Sequence, residues 1–316
     1  MLDARGTRPI DIAMLSYLAV EIVLVSVFMF ARPGWLYLIG VYVAAATLTF
    51  IITRIHFDAL LWKTIQIIYP LIMITFLYEA MNYQIFMIHG RPFDSQINSL
   101  EMSLFGADIS FWLQPHMTIW RNEIMSLSYM SYYFLVPVSA YILVVHGKWN
   151  SLERMVLAAS ITYYISYLIF IFYPVLGPRI YLENIFYLPF DGPLFTPLVS
   201  KIVEKGGLFG GAMPSSHCAV ALVAVIFLIR EIKDAAIPLL SVLLLLCIST
   251  VYGRFHYATD VIVGLFLGAV VLGLSSLWQN RYPAAETSLF RLTGAEKEQA
   301  LEAGVDQWAS KRGFLS

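Results

Sequence analysis

Residues 155–176 read MVLAASITYYISYLIFIFYPVL and contain no Asp, Glu, Lys or Arg. A helix needs about 20 consecutive apolar residues to cross the hydrocarbon core of a bilayer. The stretch therefore predicts a transmembrane helix. The whole chain of 316 residues has the same bias, because 59% of its residues are hydrophobic and only 13% are charged. Such a chain cannot cover its apolar surface with polar groups, so we expect lipid to solvate much of it.

The same criterion predicts an all-α integral membrane protein with about eight transmembrane helices, seven and nine being the alternatives. The predicted spans are 12–31, 34–53, 64–81, 125–145, 155–176, 214–229, 235–252 and 258–278. We expect residues 1–124 to hold the N-terminal spans and an outer lid region. Residues 125–278 should form the catalytic helical core, and residues 279–316 a cytoplasmic tail. We expect the fold to contain a six-helix phosphatase-type core that ends near residue 278.

The basic residues indicate how these spans are oriented. If the N-terminus is cytoplasmic, 13 of the 20 Lys and Arg residues fall in inner segments and 7 in outer segments. This excess agrees with the positive-inside rule, so we expect both termini of a multi-pass cell membrane protein to be cytoplasmic. The net charge of −1 gives no reason to expect nucleic acid as a partner. The two cysteines, Cys218 and Cys247, lie in apolar segments, where we expect reduced thiols.

Polar motifs stand at the ends of three apolar segments on the predicted outer side. One is a glycine-rich approach to a helix that Pro214 starts, Gly210-Gly211-Ala212-Met213-Pro214-Ser215-Ser216-His217. Another is Arg254-Phe255-His256-Tyr257-Ala258-Thr259-Asp260, whose histidine and aspartate are four residues apart, which predicts one face of a helix. With Gly177-Pro178-Arg179, all three fall at one face of the membrane. Ionisable groups at such a depth are costly and usually functional.

This combination predicts phosphoryl chemistry at a membrane surface. A phosphoryl group is anionic and needs fixed positive charge and N–H donors, which a helix N-terminus supplies. A ring nitrogen of His217 can attack phosphorus there and form a phosphohistidine. His256 can protonate the leaving alkoxide, and Asp260 can hold the tautomer of its ring. A metal site built from these three side chains is the alternative, although we expect neither a metal nor an organic cofactor.

The Pro-Ser-Ser-His motif that ends at His217, followed about forty residues later by His-x-x-x-Asp, resembles the type 2 phosphatidic acid phosphatase superfamily. The resemblance covers roughly residues 125–278. Members of that family are multi-span lipid phosphate phosphatases, together with enzymes that transfer phospho-headgroups between lipids. The resemblance implies that His217 is the nucleophile, His256 the second catalytic histidine and Asp260 its partner. The family's phosphate-binding positions match Arg179, Ser215 and Ser216.

The chain also departs from the family motifs. Phe172 stands where the first motif has a lysine, Ser216 replaces the usual glycine, and Ser249-Thr250 replaces a Ser-Arg pair. The nearest arginine to that pair is Arg254, and we expect its long side chain to reach phosphate. Two segments, Tyr173-Pro174-Val175-Leu176-Gly177-Pro178-Arg179 and Arg254-Phe255-His256-Tyr257, resemble the inositol phosphorylceramide synthase branch instead.

We therefore expect a membrane lipid phosphate phosphatase that cleaves a phosphate ester through a phosphohistidine intermediate. Its active site should lie on the extracytoplasmic side, and its partners should be a lipid phosphate substrate and membrane lipids. Two alternatives stay open at this point. One is a phosphotransferase that moves a phospho-headgroup between lipids. The other is a non-catalytic membrane transporter or lipid-binding protein on the same scaffold.

Overall fold

A computed structural model of the chain describes residues 8–55 and 60–281. Within these ranges the chain folds into thirteen α-helices without a β-strand, and one isolated parallel bridge joins Val175 to Gly211. The helices are α1 Pro9–Phe28, α2 Trp35–Arg54, α3 Leu60–Met81, α4 Asp94–Phe105, α5 Ile109–Trp112, α6 Ile119–Met130, α7 Tyr132–Val145, α8 Trp149–Phe172, α9 Pro178–Tyr181, α10 Phe195–Gly206, α11 Ser216–Glu231, α12 Ala236–Tyr252 and α13 Ala258–Arg281. The predicted all-α membrane fold is confirmed. The predicted tail lies outside the described residues from residue 282 onward.

Six helices of the described chain are long and apolar enough to cross a bilayer. These spans are Pro9–Phe28, Trp35–Arg54, Thr64–Met81, Trp149–Phe172, Lys233–Tyr252 and Ala258–Leu277. A seventh follows if α6 and α7, which meet at an angle of 43°, are counted as one broken span. The predicted span 214–229 corresponds to α11, whose 16 residues are fewer than a crossing normally needs. The count by length is thus six or seven, and the short α11 lies inside the bundle.

The predicted span 125–145 is interrupted. Helix α6 ends at Met130 and α7 begins at Tyr132. At the break, the hydroxyl of Ser131 donates a hydrogen bond of 2.6 Å to the carbonyl of Ser128. A serine that binds a nearby backbone carbonyl in this way commonly accompanies a bend in a helix. Hydropathy alone does not show the bend, and the boundary predicted between residues 124 and 125 falls inside α6.

Helix α11 lies at the centre of the bundle and packs against α7, α8, α12 and α13. Its contact with α13 is close because glycines of α13 face its backbone. A Cβ atom added at Gly264 would collide with the carbonyl of Ser215, and one at Gly268 would lie 2.7 Å from the carbonyl oxygen of Ala219. Small residues allow membrane helices to approach in this way. The close contact fixes the start of α11 against the first turns of α13.

Helix α8 joins the N-terminal helices to the rest of the bundle. Helices α1 and α3 pack against α8, and so do α7, α11 and α13. The ring of Tyr17 in α1 stacks on the ring of Tyr164 in α8, with centroids 4.5 Å apart. The C-terminal end of α8 leads directly into the Gly177-Pro178-Arg179 segment. The packing of α8 therefore positions one of the three polar motifs.

Candidate active site

Backbone hydrogen bonds bring the three polar motifs together at one end of the bundle. The amide of Arg179 donates to the carbonyl of Arg254 at 2.7 Å, and the amide of Ser215 donates to the carbonyl of Asp260 at 2.9 Å. The bridge at Val175 adds a bond of 2.9 Å from the amide of Ala212 to the carbonyl of Val175. The ends of α8, α11 and α13 thus form one connected set of loops.

Gly177 is needed for this close approach. Its φ of +88° lies in a region that L side chains rarely adopt. A Cβ atom at this position would also lie 2.7 Å from the carbonyl oxygen of Phe255. Both observations explain why a glycine precedes Pro178 and Arg179. Only glycine combines this backbone conformation with the short distance to the His256 loop.

The two histidines of the motifs are in direct contact. Nδ1 of His217 is 3.2 Å from Nε2 of His256, and Nδ1 of His256 is 2.8 Å from the carbonyl oxygen of Ala212. A carbonyl can only accept, so Nδ1 of His256 carries a proton and its Nε2 has a free lone pair. That lone pair accepts from Nδ1–H of His217. The remaining Nε2 of His217 then accepts from the hydroxyl of Tyr129, at 3.3 Å.

The structure corrects two details of the sequence interpretation. Helix α13 begins at Ala258, so His256 precedes the helix and does not share a helical face with Asp260. Oδ2 of Asp260 accepts from the amide of Tyr257 at 2.8 Å, and this bond starts the helix after His256. Helix α11 likewise begins at Ser216 rather than at Pro214.

The role of Asp260 changes with this geometry. Its Oδ2 lies 3.6 Å from Nδ1 of His256, farther than the 2.8 Å contact of the Ala212 carbonyl with the same nitrogen. The backbone carbonyl therefore holds the tautomer that we had expected the carboxylate to hold. The carboxylate, fully buried in the first turn of α13, adds negative charge beside the ring.

Two of the predicted phosphate-binding residues line the same cavity as the histidines. Arg179 and Ser216 both contribute to its wall, and the guanidinium carbon of Arg179 lies 5.6 Å from the centre of the Phe255 ring. Among the described residues of this lining, Arg179 is the one arginine or lysine. Ser215 is fully buried behind the wall. A phosphate group at the histidine pair would thus meet Arg179 and Ser216 first.

Arg254 is directed elsewhere. Its Nη2 donates to the carbonyl of Leu188 at 2.8 Å, and its guanidinium carbon lies 4.0 Å from the centre of the Phe186 ring. The residue has a φ of +64°, an uncommon conformation for an arginine, and only 7% of its surface is exposed. The structure therefore does not bring its side chain to the cavity. Its backbone carbonyl takes part instead, as the acceptor for the amide of Arg179.

Asp94 is a polar residue of this region that the motifs did not indicate. Its carboxylate accepts from the amides of Leu176 and Gly177 at 2.8 and 2.9 Å and from the hydroxyl of Tyr257 at 3.2 Å. It therefore ties the loop before Arg179 to the loop after His256. Burial raises the pKa of Asp94, and the two amide bonds oppose that shift. No short-range pattern could have shown these contacts, because the partners are about eighty residues or more away.

Glu101 holds the first turn of α13 from the same side. Its Oε1 accepts from the amide of Ala258 at 2.7 Å, and the side chain is fully buried. Burial raises the pKa of Glu101 to about 8, and the nearby carboxylates of Asp108 and Asp260 add to the shift. Like Asp94, Glu101 belongs to α4, in the segment expected to be an outer lid. Part of that segment is therefore a buried support of the site.

A cavity of about 1310 Å³ opens beside the histidine pair. Pockets for small molecules commonly measure about 300–1,000 Å³, so this one is large. His217, His256 and Arg179 form its polar end, and helices α3 and α7 form long, largely apolar walls. Within residues 8–55 and 60–281, no three His, Cys, Asp or Glu side chains are arranged to hold a metal ion.

The comparison with known families agrees with these features. A sequence model described as the PAP2 superfamily matches residues 95–274, more than half of the chain. The chain belongs to the PAP2 superfamily. Members of this superfamily are generally phosphatases or phosphotransferases, so membership supports a phosphatase-type function on lipid phosphates. The match does not specify a branch of the superfamily.

The PAP2 match extends farther toward the N-terminus than the resemblance noted in the sequence, which began near residue 125. Its first residue follows Asp94, so α4 and α5 fall inside the matched region. No curated protein and no solved structure matches the chain. The match therefore confirms the family predicted from the sequence. It does not test the roles of the individual site residues, which stay predictions.

Proposed function

We propose that this PAP2 superfamily protein cleaves a phosphate ester of a membrane lipid through a phosphohistidine intermediate. One observation carries the proposal: the hydrogen-bond chain that runs from Tyr129 through His217 and His256 to the carbonyl of Ala212. This chain presents two imidazoles with defined tautomers at the end of a lipid-sized cavity. The positive-inside distribution of basic residues supports an opening toward the extracytoplasmic side.

The contacts favour His256 as the nucleophile, the reverse of the assignment made from the sequence. Its Nδ1 proton is held by the Ala212 carbonyl, so the Nε2 lone pair is free to attack phosphorus. The buried carboxylate of Asp260 stabilises the positive charge that the ring then acquires. His217 is left to act as the acid. Its two ring nitrogens are hydrogen-bonded to Tyr129 and His256, and a phosphate ester can replace either bond.

The proposed reaction has two steps. In the first, the substrate enters as the phosphate monoanion and passes its proton to Nε2 of His217. Nε2 of His256 then bonds to phosphorus, the ester P–O bond breaks, and His217 gives that proton to the leaving oxygen. In the second, His217 accepts a proton from water, whose oxygen bonds to phosphorus as the P–N bond breaks. The two histidine nitrogens are 3.2 Å apart, too close to admit a phosphoryl group between them. Substrate must therefore replace their hydrogen bond.

The charge of the phosphoryl group is balanced by fixed groups of the protein. Arg179 lines the cavity as a cation, and the N-terminus of α11 begins at Ser216 beside His217. Free amides and the helix dipole at such an end attract anions. A phosphotransferase would use the same first step, with a lipid alcohol in place of water in the second. The exposed side chains of Phe76 and Tyr141 at the edge of the cavity favour this second candidate, because an acceptor lipid would have the same access as the substrate.

The proposal is tested with purified protein in detergent, supplied with a panel of lipid phosphates and with p-nitrophenyl phosphate. We expect the wild type to release phosphate. We expect His256→Ala to lose activity on both kinds of substrate. His217→Ala should lose about 10²–10⁴-fold on lipid phosphates but retain much more on p-nitrophenyl phosphate, whose leaving group needs no proton.

Other outcomes would change the proposal in defined ways. Retention by His256→Ala alone would return the nucleophilic role to His217. Wild-type rates in both variants would leave a non-catalytic transporter or lipid-binding protein as the better interpretation. A headgroup-labelled lipid supplied with candidate acceptor lipids separates hydrolysis from transfer. Label in a new lipid, instead of in water-soluble phosphate, would identify a phosphotransferase.

A further inference from the structure

The cavity continues far below the histidine pair. Its lining follows α7 from Tyr132 to Val144 and α3 from Tyr78 to Thr64. At a rise of 1.5 Å per residue these stretches measure about 18 and about 21 Å. One leaflet of the hydrocarbon core is about 15 Å thick. The part of the cavity between α3 and α7, here called the lateral groove, is therefore longer than one leaflet of the hydrocarbon core is thick.

The lateral groove is open toward lipid on one side. Helices α3 and α7 both pack against α8, which supplies the floor through Tyr163 and Tyr167. The rims carry Phe76 and Tyr141, whose side chains are 64% and 67% exposed. In a membrane these residues face hydrocarbon. A lipid chain can thus enter the groove sideways without crossing water.

The chemistry of the groove changes along its length. Near the histidines the walls are polar: the hydroxyls of Tyr132 and Tyr163 bond to each other at 2.7 Å, and the one that accepts keeps its own proton to donate. Farther from the histidines the walls are aliphatic and are formed by Ile68, Leu71, Val136, Ala140 and Val144. Apart from Thr64 at the far end and Tyr141 at the rim, this half of the groove presents aliphatic side chains, which suit a hydrocarbon chain.

We propose that the lateral groove binds the hydrocarbon chain of the lipid phosphate and favours a chain longer than one bilayer leaflet. The inference rests on the proposed function, because the groove is continuous with the cavity at His217 and His256. A phosphoryl group at this pair projects its chain into the groove. A chain that ends at the middle of the bilayer leaves the section near Val144 unfilled, whereas a longer chain fills it.

The preference has a specific physical source. A lipid chain is already in hydrocarbon before it enters the groove, so burial adds no hydrophobic free energy. What it gains is close packing against fixed side chains, which grows with each contacting carbon atom. The selectivity should therefore depend on whether the far end of the groove is free. Filling that end with a larger side chain tests the inference directly.

Val144 and Val145 form a matched pair for this test. Val144 lines the far end of the groove, whereas its neighbour Val145 is 48% exposed on another face of α7. We compare Val144→Trp with Val145→Trp, using decyl and tetracosyl monophosphates in mixed micelles. Consumption of the alkyl phosphate is the measured quantity, so hydrolysis and transfer are both detected. Turnover of p-nitrophenyl phosphate shows that each variant is folded.

We expect wild-type kcat/KM to be about tenfold higher for tetracosyl than for decyl monophosphate. We expect Val144→Trp to lower the tetracosyl value about tenfold, because an inserted indole overfills the groove, and to change the decyl value less than twofold. Val145→Trp should change neither. If Val144→Trp does not turn over p-nitrophenyl phosphate, Ile68→Trp replaces it as the blocking variant.

Three results would overturn the inference. One is equal wild-type kcat/KM for both chain lengths, and another is an equal loss on both substrates in the blocking variant. The third is a loss in Val145→Trp as large as in Val144→Trp. These results differ from failure of the proposed function, in which the wild type consumes none of the three phosphate esters.

Discussion

Two helix pairs of this protein pack in opposite ways. Helix α13 meets α11 through Gly264 and Gly268, at positions where even one added methyl group would collide with the α11 backbone. Helices α3 and α7 instead leave a groove between them, with exposed aromatic rims at Phe76 and Tyr141. The α11–α13 pair carries the two histidines of the proposed active site at its end. The α3–α7 pair carries none of the predicted catalytic side chains.

The difference suggests that the two helix pairs serve different functions, one in positioning the reacting groups and the other in admitting the lipid. Phosphoryl transfer requires reacting groups to be held within a fraction of an ångström, and a dry interface of small residues provides that rigidity. A lipid substrate has to enter from the membrane, and a gap between helices gives it a path. We therefore expect substitutions at the close α11–α13 contact to affect turnover of every substrate. Substitutions in the lateral groove should change only substrate preference.

The largest effect is expected for Asp94→Ala. This substitution removes the carboxylate that ties the loop before Arg179 to the loop after His256. Its loss leaves the amides of Leu176 and Gly177 without their acceptor, at a cost of about 1–3 kcal/mol for each buried group. We expect kcat for p-nitrophenyl phosphate to fall about 100-fold with little change in KM. Asp94→Asn, which keeps one acceptor oxygen, should recover part of the loss.

Asp234→Ala is the control for this prediction, because Asp234 is exposed at the opposite end of α11. It should leave kcat unchanged. Wild-type kcat in Asp94→Ala would show that the two loops keep their positions without this carboxylate. The difference in packing between the two helix pairs would then be explained by Gly264 and Gly268 alone.

Gly264→Ala tests those glycines, and Gly273→Ala is its matched control on the same helix. A methyl group at Gly264 collides with the carbonyl of Ser215, whereas nothing lies within 4 Å of one added at Gly273. We expect Gly264→Ala to destabilise the protein by about 1–3 kcal/mol and to lower activity on every substrate. Gly273→Ala should be neutral or stabilising by about 0.5–1 kcal/mol. Thermal unfolding in detergent and p-nitrophenyl phosphate turnover provide the two measurements.

Equal thermal midpoints for the two glycine variants would contradict the view that the α11–α13 contact is close-packed. A stability loss confined to Gly264→Ala, with unchanged activity, would instead show that the start of α11 tolerates displacement. The substitutions at Val144 and Val145 supply the complementary comparison, since Val144→Trp in the lateral groove should alter chain-length preference and Val145→Trp outside it should not.

The sequence predicted the membrane fold and the family because both depend on local patterns. A run such as 155–176 is apolar in the sequence itself, and hydrocarbon thickness converts its length into a span. The histidine motifs are equally local, and they led to His217 and His256, whose nitrogens the structure places 3.2 Å apart. The bend at Ser131 was missed because a side-chain hydrogen bond does not alter mean hydropathy.

The contacts that could not be predicted all join distant parts of the chain. The Ala212 carbonyl takes the position beside His256 that Asp260 was expected to take, and only the packing of α11 against α13 decides this. Arg254 turns toward Leu188 because its own backbone has a positive φ. Asp94 reaches across to Gly177 from a segment without a recognisable motif. Each of these depends on tertiary geometry that residue spacing does not encode.

The smallest effect is expected for Glu101→Gln, and it concerns pH. The pKa of Glu101 is raised by burial from an ordinary value near 4.5 to about 8. Between these values the folded protein holds a proton that the unfolded chain has lost, so stability falls as pH rises through this window. We expect the thermal midpoint of the wild type to fall by a few degrees between about pH 5 and about pH 8.

Glu101→Gln should remove part of that slope, because the amide does not ionise, whereas Glu183→Gln, at an exposed position, should keep it. Identical slopes in all three proteins would mean that the pKa of Glu101 has its ordinary value. The side chain that holds the first turn of α13 would then be a charged carboxylate.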